Sequence, residues 1–138
     1  MQTSVLAYIR LPSTTSSTPD TALDIVLAKQ RLNGLADFFN VTIIDFYVEQ
    51  RLPNVTPYRD RPEIQKVMAR LESKRGAESL LVENIVDLAP LTSDRNRFID
   101  FFQKNMTCYF FCGSSSSSGY LNTAKPGDLY LLDRLRVN

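Results

Sequence analysis

Tyr8, Arg10 and the hydroxyls of Ser13–Thr18 follow one another in AYIRLPSTTSSTPD, where an apolar run delivers a guanidinium into a turn of serines and threonines. Such a turn, placed before a helix N-terminus, can hold a phosphate through hydroxyls and backbone N–H groups. It lacks the glycine that lets a backbone wrap closely round a phosphate, so a solvated cap loop is the plainer reading. Two further cations, Arg59 and Arg61, stand in YRDRPEI. The chain has no histidine, which excludes histidine triads, imidazole metal sites and histidine acid–base chemistry. Cys108 and Cys112, four residues apart on a strand, would lie about 13 Å apart, too far to bridge and short of a zinc ligand set. Both are read as core thiols, and no metal or cofactor is expected.

The elements that must position these groups alternate. SVLAYIR is a buried strand, and Thr18-Pro19 a helix start with proline at the first helical position. Leu23, Val26, Leu27, Leu32, Leu35 and Phe39 then keep an approximate helical period. VTIIDFYVE is β-branched and aromatic, hence a strand. Asp60-Arg61-Pro62-Glu63 has the form of a capping arrangement before the stripe Ile64, Val67, Met68 and Leu71. LLVENIV is a third strand, Thr92-Ser93-Asp94 opens a helix with Phe98, Ile99, Phe101 and Phe102 inward, and TCYFFCG is a fourth strand. The serine-rich stretch 113–119 is a loop, and LYLLDRLRV in the tail 120–138 is a strand or a short helix.

This order predicts one α/β domain over residues 1–138, three-layered, with a mostly parallel sheet of four to five strands and helices on both faces. Ligands in such folds sit beyond the carboxyl ends of the strands. A length of 138 residues suffices for a core without staples, and a net charge of +1 gives no global argument for nucleic acid or membrane. Seven cations against three carboxylates in residues 51–75 could meet DNA, but solvated helix faces with internal ion pairs explain them more simply. No leader segment and no long apolar run is evident, so a cytoplasmic protein with reduced thiols and no membrane contact is expected.

Tyr8-x-Arg10, Leu23-Asp24-Ile25, Asp60-Arg61-Pro62-Glu63-Ile64 and the run from Leu81 through Leu88 together resemble the catalytic domain of serine recombinases, the resolvases and invertases, over roughly residues 3 to 113. The resemblance implies a resolvase-like fold and attack of a serine on a DNA phosphodiester, with arginines stabilising the pentacoordinate phosphate. It assigns vestigial catalytic positions to Arg10, Ser13 and Arg61, and anion or DNA contact to Arg10, Arg61, Thr14 and Arg59.

The departures are chemical. The family's Tyr-x-Arg-x-Ser places Pro12 where the nucleophile belongs, with Ser13 one residue late. Its Leu-Asp-Arg-Leu-x-Arg, laid on Ile85 and Leu88, puts Val86 on the aspartate, Asp87 on the first arginine and Pro90 on the second. The long dimerisation helix and the helix-turn-helix domain have no counterpart in the tail. The expectation is a pseudoenzyme: a recombinase-like domain without DNA cleavage, acting as a binding or regulatory module toward a protein partner or, weakly, DNA. Two alternatives stand beside it, an active recombinase using Ser13 and a flavodoxin-like module holding phosphate or flavin. The oligomeric state is open, a dimer being compatible.

Overall fold

The computed structural model describes residues 3–11, 21–49, 52, 56–89, 91–115 and 119–136. Its elements in chain order are β1 (Thr3–Arg10), α1 (Thr21–Phe39), β2 (Val41–Glu49), a 3-10 turn (Tyr58–Asp60), α2 (Pro62–Ser73), β3 (Ser79–Asn84), α3 (Ile85–Leu88), α4 (Thr92–Lys104), β4 (Phe110–Ser115), β5 (Gly119–Asn122) and α5 (Pro126–Arg134). They build one five-stranded sheet in the order β2-β1-β3-β4-β5. The first four strands run parallel and β5 pairs antiparallel at the edge. The expected α/β class and strand number hold.

Val5 to Ile9 are all buried, because β1 is a central strand covered on both faces. Val5, Ala7 and Ile9 pack with Ala28, Leu32 and Ala36 of α1 on one face. Leu6 and Tyr8 join Ile64, Val67, Met68 and Leu71 of α2, Phe98, Ile99 and Phe102 of α4 and Leu132 of α5 on the other. The inward stripes expected for α2 and, but for a half-buried Phe101, for α4 are those observed. Cys108 and Cys112 lie in that second core as free thiols, and burial pushes both up to about 12.

At three places the fold departs from the sequence expectations or decides between them. LLVENIV does not stay extended to Val86: β3 stops at Asn84, whose Oδ1 accepts the Val86 N–H at 3.0 Å and caps the single turn of α3. LYLLDRLRV, open between strand and short helix, is helical through Arg134 in α5, with Pro126 in its first turn, whereas the loop expected over 113–119 gives Gly113–Ser115 to β4 and Gly119 to β5. Of the residues that keep the helical period of α1, Leu32 is buried while Leu23, Val26 and Leu27 face outward and are 41–50% exposed. This helix is apolar on both sides, so its period could not select a face. The small Ala28 and Ala36 let it approach the sheet. The proposed Thr18-Pro19 start lies outside the described residues.

Close approach of α1 also depends on Gly113. A Cβ there would lie 2.7 Å from Leu35 Cδ1 and 2.8 Å from the Glu83 carbonyl oxygen. Just past the C-terminal end of α1, Asn40 takes φ 58° and turns the chain directly into β2. Between Val5↔Ile43 and Leu6↔Asp45 the register of β2 slips, leaving Ile44 as the extra residue of a bulge. No helix among the described residues is long and apolar enough to cross a membrane. Gly113→Ala is expected to cost about 1–3 kcal/mol through overpacking, read as a lower urea midpoint with an unchanged slope.

Candidate functional site

The order of strands makes the chain reverse its winding between β1 and β3, and a cleft of about 420 Å³ opens at their carboxyl ends. Arg10 and Leu11 from β1, Asp24, Leu27 and Arg31 from α1, and Glu83 to Asp87 after β3 form its walls. This is where the sequence placed the candidate chemistry.

The floor is set by a buried polar triad. Glu49, the last residue of β2, is wholly buried and accepts the Tyr8 hydroxyl proton at 3.0 Å. It also accepts the backbone N–H groups of Glu63 and Ile64 at 3.1 and 3.2 Å. It thus caps α2 from a distant strand, the job expected of the Asp60–Glu63 segment itself. Arg61, at the N-cap position, makes no side-chain cap bond, and Pro62 occupies the first turn. A carboxylate is well suited to the positive end of the helix. Burial, with Glu49 as a neighbour, holds the Tyr8 phenol far above its ordinary range, so Tyr8 stays a hydrogen-bonded neutral group.

Arg61 is 0% exposed. Its Nη2 donates to the Leu88 carbonyl at 2.7 Å and its Nη1 to the Asp87 carbonyl at 3.1 Å, with a longer 3.4 Å contact to the Tyr8 hydroxyl. The guanidinium therefore ties the start of α2 to the end of α3. The expected anion-binding role for Arg61 does not fit this position, since an anion at the surface would not reach it. Burial with paired groups was the signal that the sequence could not display.

Arg10 is half-buried at the strand end and faces Glu49 in the β1–β2 register. Glu49 is occupied elsewhere, and it is Asp87 on which the Arg10 charge acts. Asp87 accepts the Asn84 N–H while Asn84 accepts from Val86, a reciprocal cap across α3. Burial first, and Glu83 second, push its carboxyl up to about 6 against the pull of Arg10. Arg31 reaches across from α1 and grips both Glu83 oxygens at 2.8–2.9 Å, a link the sequence gave no periodic sign of. The cleft walls thus carry Asp24, Glu83 and Asp87 against Arg10 and Arg31.

Arg59 is exposed on the 3-10 turn, outside the cleft walls, and its carbonyl accepts from Gln65. Ser13 and Thr14 lie outside the described residues. In the cationic segment 51–75, Arg59, Lys74 and Arg75 are exposed, while others are tied into the fold. Arg70 binds Glu78 through two nitrogens and reaches Asp45 and Tyr47, while Lys66 pairs with Glu63. No group of three or more metal-ligating side chains gathers among the described residues.

No family model matches the chain, and no curated protein does. Among solved structures the chain is similar to the N-terminal catalytic domain of TP901-1 integrase, with a TM-score of 0.69 and 23% identity over 96% of this chain and 90% of that one. The likeness establishes the fold: the mostly parallel five-stranded α/β sheet of this chain is arranged as in that domain.

Two substitutions probe this site. Because folded Asp87 keeps its proton to a higher pH than the unfolded chain does, the fold loses stability as pH rises from about 4 to about 6. Asp87→Asn should therefore be more stable than the parent by roughly 1–2 kcal/mol at about pH 8 and no more stable near pH 4, measured by urea melts across pH. Arg61→Ala leaves the Asp87 and Leu88 carbonyls without their buried donor and removes the cation beside the Tyr8–Glu49 pair. It should lose about 3 kcal/mol or more in the same melts.

Proposed function

We propose that this chain is a recombinase-like domain that does not cleave DNA and acts by binding, as a regulatory module toward a protein partner or weakly toward DNA. The observation that carries the reading is the inward placement of Arg61. The guanidinium that the family resemblance assigns to the phosphate is bonded to the carbonyls of Asp87 and Leu88 and shielded from solvent.

The surrounding charge supports the same reading. Transition-state stabilisation of phosphoryl transfer requires cations aimed at the equatorial oxygens, and losing one preorganised donor costs about 3–4 kcal/mol. Here a carboxylate, Asp87, stands in the place of one arginine and Pro90 in that of another. The described walls hold more acids than guanidiniums, and residues 12–20 contain one aspartate and no cation. The same balance weighs against a phosphate- or flavin-holding module.

The test is covalent trapping on a nicked suicide DNA substrate. Neither the parent nor Pro12→Ser should form a protein–DNA adduct, because a restored hydroxyl still lacks its cations. An adduct through Ser13 in the parent would overturn the reading. Residual DNA contact, if present, should show as a mobility shift that fades with salt and weakens in Arg59→Ala.

A further inference from the structure

We draw no further inference here: the strongest candidate, the groove between the C-terminal end of α4 and helix α5 where Met106 and Tyr130 stand 65% and 78% exposed, has its charged lining residue, Asp133, already held by Gln103 and Arg136, and nothing in the structure shows what covers it.

Discussion

The buried Glu49–Tyr8–Arg61 triad is the constraint on which the rest of the molecule depends. It joins the ends of β1 and β2 to the first turn of α2 and, through two carbonyls, to the end of α3. Taking a carboxylate and a guanidinium out of water is costly, and the cost is met only because the two charges have partners for most of their polar atoms. With the triad in place, the cleft at the switch point acquires a fixed floor. Without it, the turn carrying Asp87 would have no anchor on that side.

That arrangement also fixes which charges the cleft presents. Arg61 serves the interior, and Arg31 is locked to Glu83. The described walls of the cleft then carry three carboxylates, Asp24, Glu83 and Asp87, to two guanidiniums, Arg10 and Arg31. A fold shared with DNA-cleaving enzymes accordingly says little about chemistry by itself.

Much of the architecture was legible in the chain. The alternation of β-branched runs with helical stripes gave the parallel sheet, and the α2 stripe of Ile64, Val67, Met68 and Leu71 faces inward as its spacing required. The misses have physical causes. A helix apolar on both sides, as α1 is, has no periodic contrast to orient it, and small alanines rather than large leucines fixed its inner face. Asn84 ended β3 through a local cap that competes with extension, a choice settled by tertiary packing of Ile85 and Leu88. Arg61 looked like a surface cation because nothing local shows that a distant strand end, Glu49, and a later turn converge upon it.

The slipped register at Ile44 has a bearing on how copies of this chain meet. β2 is a nine-residue rim of the sheet, long enough to template a neighbouring strand. The inserted residue coils that rim and breaks its ladder of free amides and carbonyls, while the opposite rim, β5, has only four residues. Open-ended stacking into fibres is thereby disfavoured on both flanks.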